Sequence, residues 1–122
     1  MGRIEAFTRD GNDFVYLDMT KFTSREEFYE LLADARAFIS GYQEGSLYLI
    51  TNVEGMKFDS ECKQHMMDFI SHNNFYVKKS AVVGVSGAIK AIANSMFKAL
   101  GRKSMRFTFT REKAIEWLLE KE

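Results

Sequence analysis

Ala81-Val82-Val83-Gly84-Val85 is apolar at every position. A strand with one wet face alternates apolar and polar residues, so an unbroken run marks a strand covered on both sides. Two-sided cover comes from helices, and that brings parallel pairing and crossover connections. The rest of the chain supplies the other parts. Residues 3–9 and 14–19 read as two strands around Asp10-Gly11-Asn12-Asp13, a set of residues that readily takes positive φ and so reads as a hairpin turn. Residues 46–53 form another apolar strand, and residues 105–109 form the last.

Four helical patterns lie between and after these strands. Thr23-Ser24-Arg25-Glu26 fits a capping box, and Ser24 with Glu27 fits it in the next register. Phe28, Leu31, Leu32, Ala35, Phe38 and Ile39 then recur at helical spacing, and Gly41 is the expected stop. Asp59 or Ser60 can cap a second helix, whose stripe is Cys62, Met66, Phe69 and Ile70. Ser86-Gly87 turns into a third helix carrying Ile89, Ile92, Ala93, Met96, Phe97 and Leu100. Thr110 caps a fourth with Ala114, Trp117 and Leu118 inward. The predicted order is β-β-α-β-α-β-α-β-α: an α/β domain over residues 1–122, with a five-stranded, mostly parallel sheet and an antiparallel first strand.

Composition sets the boundaries of function. The 122 residues suit one domain at about 100–200 residues per domain. Apolar residues at 46% and charged residues at 28% exclude a disordered chain. Lys plus Arg and Asp plus Glu both count 17, which argues against a dedicated nucleic-acid binder. The balance hides a segregation. Residues 1–74 hold 7 basic and 13 acidic side chains, whereas residues 75–113 hold 9 basic and one acidic, Glu112. Such a chain can be guided onto a charged partner despite its neutral sum. The single cysteine, Cys62, permits no intrachain disulfide and suits a reducing compartment. The first residues have no apolar h-region, and no stretch approaches the roughly 20 apolar residues of a spanning helix. A cytoplasmic protein is expected.

The element order resembles that of STAS domains, the fold of anti-sigma-factor antagonists, and the last 45 residues resemble the SpoIIAA-like group of small proteins. The residues carrying this are Lys79-Ser80-Ala81-Val82-Val83-Gly84-Val85-Ser86-Gly87, Phe109-Thr110-Arg111-Glu112, Ala114 and Trp117-Leu118, with the upstream strand Ser46-Leu47-Tyr48-Leu49-Ile50-Thr51-Asn52-Val53 matching in character. The resemblance implies a winding superhelix with sequential strand order, and regulation through protein contacts rather than catalysis. In anti-sigma-factor antagonists a serine at the start of the second helix, within an Asp-Ser-Ser-Gly-type motif, is phosphorylated. Asp59-Ser60 falls at that place, followed by Glu61-Cys62 rather than Ser-Gly.

Each candidate residue has a plain reading beside its functional one. Ser60 reads first as a helix cap and second as a phosphosite; a phosphate there gains from the helix dipole but faces Asp59 and Glu61. Ser86, Gly87 and Lys90 read first as a turn and cap, second as a site for a phosphate or carboxylate. Gly84-Val85-Ser86-Gly87-Ala88 looks like a nucleophile elbow, but His65 and His72 both precede Ser86, and an esterase of that type needs its histidine after the serine. Cys62, His65 and Asp68 lie three apart and supply at most part of a metal site, while Cys62 falls on the apolar stripe. Asp18 ends a strand as in a phospho-receiver, but the later strand ends offer Asn52 and Ser86. Neither a catalytic residue, a metal nor a cofactor is assigned. Asp59, Met96, Phe97, Arg102 and Lys103 form the candidate partner surface, together with the loops at 54–60 and 86–90. The helix around Met96 and Phe97 is apolar on much of its circumference, which suits a buried helix, a homodimer face or a pocket for a lipid-like ligand. The expected role is a protein-binding regulatory module; the alternative is a binder of a small anionic or lipid-like ligand.

Overall fold

A computed structural model describes residues 2–56, 59–85, 87–100 and 105–120, the side chains at 88, 89, 96, 97, 99 and 100 excepted. The elements are β1 (Ile4–Arg9), β2 (Asn12–Asp18), α1 (Arg25–Ile39), β3 (Leu47–Asn52), α2 (Ser60–Asn73), β4 (Val77–Val83), α3 (Gly87–Leu100), β5 (Met105–Thr108) and α4 (Arg111–Leu119). The sheet runs β1-β2-β3-β4-β5. β1 is antiparallel to β2 and every later pair is parallel, so the α/β class and the expected topology are both present.

The turn between β1 and β2 has two residues. Asp10 and Gly11 both take positive φ, 55° and 78°, and Arg9 pairs with Asn12 directly across them. Positive φ at both centres is the turn whose twist matches a hairpin. Sequential strand order with crossovers of one hand returns each connecting helix to the same face of the sheet. α1 and α2 pack there over Val15, Leu17, Leu49 and Val82, and Ile92 of α3 joins them. α4 follows the last strand and has no crossover to make. It covers the opposite face, where Ala114, Ile115 and Leu118 pack on Phe14, Tyr48, Ile50, Ala81 and Val83. β3 and β4 are therefore sealed on both sides, as the apolar runs require.

Helix ends show where local chemistry decided and where it did not. Ser24 caps α1, its hydroxyl accepting from Glu27 N at 3.2 Å, which selects the second of the two possible capping registers. Thr110 caps α4 by accepting from Lys113 N. At α2 the cap is Asp59, whose carboxylate accepts from Cys62 N at 2.8 Å. Ser60, read first as the cap, is instead the exposed first residue of the helix. The carboxylate outcompetes the hydroxyl because a charged acceptor gains more from the helix dipole. Gly41 does not end α1 in the left-handed region; Ser40 closes it, its hydroxyl donating to Arg36 O at 2.7 Å. Phe38, counted on the buried stripe, is 42% exposed.

A register shift between Leu47 and Tyr48 leaves Lys78 unpaired in β4 and sets Lys79 opposite Tyr48. An extra residue of this kind re-aims the side chains beyond it. Lys79 is thereby buried under α4. Its ammonium donates to Trp117 O at 3.1 Å and lies 4.3 Å from the Trp117 ring centre. A cation at the carbonyl end of a helix opposes that end's partial negative charge. Trp117, expected to point inward, is half-buried along this lysine.

Candidate functional site

In a sheet of parallel strands the free ends of the strands and the helix starts gather at one edge, where loops are released from pairing. Here that edge carries the loops after β2, β3, β4 and β5. A cleft of about 390 Å³ opens between the starts of α1 and α2, lined by Lys21, Phe22, Thr23, Ser24, Arg25, Phe28, Gly55, Met56, Asp59 and Cys62.

Arg3 shapes one wall. Its guanidinium donates to Asp18 O at 3.0 Å, to Thr20 O at 2.6 Å and to Lys21 O at 3.4 Å, and lies 4.4 Å from the Phe22 ring centre. Glu27 completes this wall: its carboxylate accepts from Thr23 N at 2.9 Å and lies 3.5 Å from Arg3. The loop is pulled tight enough that Lys21 adopts φ 55°. A lysine in the left-handed region is unfavourable by roughly 1–2 kcal/mol and persists where the surroundings over-determine it.

The other wall depends on Gly84. Its φ is +85°, and a Cβ there would lie 2.7 to 2.9 Å from Glu54 Cβ, N and Cα. Only glycine allows the β3 and β4 exits to cross at that distance. Asn52 fixes the same loop, its Oδ1 accepting from Glu54 N at 3.0 Å while its Nδ2 donates to Tyr16 OH at 2.9 Å.

Arg25 spans the mouth. It meets Asp59 Oδ2 at 2.6 Å and Glu61 Oε2 at 3.2 Å. The Arg25 guanidinium, aided by Cys62 N–H, holds the Asp59 carboxyl well below the usual carboxylate range. Burial pushes the Cys62 thiol upward, away from the thiolate that reactivity needs. The mouth thus offers one shared cation, two carboxylates and a floor of Phe22, Phe28 and Met56.

The expected site residues divide between the described and undescribed parts of the chain. Asp59 lines the cleft, and Ser60 stands beside it at the exposed start of α2. Gly87 opens α3 with φ +54°, with no atom of the described residues beyond its chain neighbours within 4 Å of where a Cβ would lie, and Lys90 is exposed on the same helix; neither lines the cleft. Ser86, Arg102 and Lys103, and the side chains of Met96 and Phe97, lie outside the described residues. Cys62, His65 and Asp68 do not converge: His65 packs at a tilt against Tyr29 with ring centres 4.3 Å apart, and Asp68 accepts from Gln64. Among the described residues no three His, Cys, Asp or Glu side chains are placed to share a metal ion. No helix among them is long and apolar enough to cross a membrane.

Sequence reasoning missed Arg3, Lys21, Phe22 and Arg25. Arg25 was visible only as a member of a capping motif, and its partners lie 34 and 36 residues away. Comparison with protein-family models, with curated proteins and with solved structures gives no match.

Proposed function

We propose that this chain is a non-catalytic, STAS-like regulatory module of the cytoplasm that acts by binding a protein at the cleft between α1 and α2. One observation carries the reading. Arg25 and Asp59 border an apolar floor at an open edge and Glu61 pairs with Arg25 beside it, each of the three side chains being about half exposed. Exposed charges that are already oriented by one another suit exchange with a partner's charges, and the apolar floor suits a side chain inserted between them. The buried, protonated thiol of Cys62 supports recognition over nucleophilic chemistry. Ser60, one residue from the cap and exposed, is where phosphorylation would disturb this mouth, since a phosphate would compete with Asp59 and Glu61 for Arg25.

The test is site-specific photocrosslinking in cells, with the crosslinker at Thr23 in the cleft or at Arg9 by the hairpin. A discrete heterologous product is expected from position 23, absent from position 9 and lost on Arg25→Glu. Equal labelling at both positions, or none at 23, would remove the proposal. Native mass spectrometry of the purified chain addresses the competing reading. A retained small acid or lipid would favour a ligand at the α3 start over a protein at the cleft.

A further inference from the structure

We infer that β1 forms a two-fold interface with a second copy of this chain, the two β1 strands pairing antiparallel in a register centred on Phe7. β1 is first in the sheet, and among the described residues it pairs on one side only, with β2. Residues 2–9 are all described. The hydrogen bonds show which groups the other side presents. Asp18 N donates to Arg3 O at 2.8 Å, so Arg3 and Asp18 form a hydrogen-bonded pair of the ladder. Such pairs alternate along antiparallel strands, so residues 5, 7 and 9 also turn their amides and carbonyls toward β2. Ile4, Ala6 and Thr8 turn theirs outward, and no described residue bonds them. An edge of this kind is a template for another strand.

Charge order selects both the occupant and the register. Two-fold antiparallel pairing through residues 4, 6 and 8 can centre on Glu5, Ala6 or Phe7. Centred on Glu5, it sets Glu5 against Glu5 of the other copy. Centred on Ala6, it sets Arg3 against Arg9. Centred on Phe7, it sets each Glu5 against Arg9 of the other copy and each Ala6 against Thr8. Like charges directly opposite destabilise a sheet, and opposite charges stabilise it. Arg9 is exposed and meets no carboxylate among the described residues, so its charge is open to a new partner. Glu5 is half exposed and holds Arg111 with both oxygens. A carboxylate accepts about four hydrogen bonds, which leaves room for a second guanidinium. The aromatic row agrees. Phe7 stacks on Phe14 with ring centres 5.0 Å apart, and Phe14 meets Tyr48 edge-on. In the Phe7-centred register the two Phe7 side chains lie opposite one another, and the row runs on from one copy into the other. Ala6 and Thr8, on the other face, are small and exposed. The association closes on itself, since it consumes the β1 edge of both chains. Six-residue strands make a small contact, so a dissociation constant on the order of ten micromolar is expected.

Sedimentation equilibrium of the whole chain, over about 1 µM to 1 mM, tests this. The mass should rise from 14.1 kDa toward twice that value. Arg9→Glu, at an exposed residue, should weaken association at least about tenfold with an unchanged far-ultraviolet spectrum. Arg9→Lys should keep most of the association. The register is read by treating single cysteine variants with oxidised glutathione, Cys62 being buried. Phe7→Cys should form a covalent dimer, because the two copies of position 7 face one another at the two-fold axis, and Ala6→Cys should form less. A monomer throughout the range, or a dimer indifferent to Arg9→Glu, overturns the inference. A covalent dimer formed more readily by Ala6→Cys than by Phe7→Cys overturns the register, and the inference with it.

Discussion

Arg25 and Arg111 occupy the same position in different helices. Each is the first residue, directly after a hydroxyl cap, Ser24 or Thr110, and each faces the helix dipole with the wrong sign of charge. Each is held there by carboxylates from another element. Arg111 meets both Glu5 oxygens, at 2.9 and 2.8 Å, and its guanidinium lies 4.9 Å from the Phe7 ring centre and 4.5 Å from that of Tyr16. It packs over rings as well as pairing, and it ties β1 to α4. Arg25 reaches its carboxylates at the open mouth of a cleft and also donates to Cys62 Sγ at 3.9 Å, with no cation–ring contact among those described. An arginine that also packs its planar face on rings fastens elements together; one that meets half-exposed carboxylates without such rings leaves those charges more exchangeable.

The comparison can be broken most strongly at Gly84. Gly84→Ala places a Cβ into Glu54 at positive φ, on the loop that leads to Asp59. A loss of about 2–4 kcal/mol in urea unfolding is expected, with the cleft disturbed and the Arg111 clamp retained. A neutral outcome would mean that the crossing of the two loops is not tight. The next largest effect belongs to Arg111→Ala, about 1–2 kcal/mol after allowing for solvent screening of a pair that is a third to a half exposed. Arg111→Lys should recover less than half, because an ammonium can neither make the paired hydrogen bonds nor stack on two rings. Trp117, the sole tryptophan, reports on α4 in both variants by its emission.

The smallest expected change in stability is that of Arg25→Ala, whose melting temperature should stay closer to wild type than that of Arg111→Ala. Its signature is in titration instead. In carbon NMR, Asp59 should stay ionised well below the usual carboxylate range in the wild type. It should move upward in Arg25→Ala but remain depressed, because Cys62 N–H still donates to it. Glu5 is likewise held low, by Arg111 first. A carboxylate with a lowered folded pKa stabilises the fold fully above its unfolded titration range, and that contribution is lost as pH falls through the folded value. Both clamps should therefore weaken only in acid. Arg111→Ala should flatten the acid limb through Glu5, and Arg25→Ala through Asp59.

Much of the scaffold could be read from local chemistry. Asp10-Gly11 encodes the hairpin because few residues tolerate two successive positive φ values. The apolar run that begins at Ala81 encodes a strand covered on both faces, though the strand ends at Val83 and the run continues into the loop. Ser24 and Thr110 declare their helices because a side-chain acceptor three residues before a free amide is a local event. The site was less accessible for the same reason. Arg25 with Asp59, and Arg111 with Glu5, are pairs made by tertiary placement, and no spacing rule covers 34 or 106 residues. Ser60 and Asp59 are adjacent, so sequence alone left open which would cap, and charge settled it for Asp59. Phe38 matched the helical period but is 42% exposed, its ring edge-on to Tyr42.

The Arg111–Glu5 clamp also bears on the order in which the chain acquires its shape. The β1–β2 hairpin closes over two residues and can form as soon as those strands exist. Its outer strand gains the Arg111 clamp only when a residue 106 positions later has been synthesised and α4 has settled across the sheet. During vectorial synthesis β1 therefore lacks its clamp to α4 until that helix has formed.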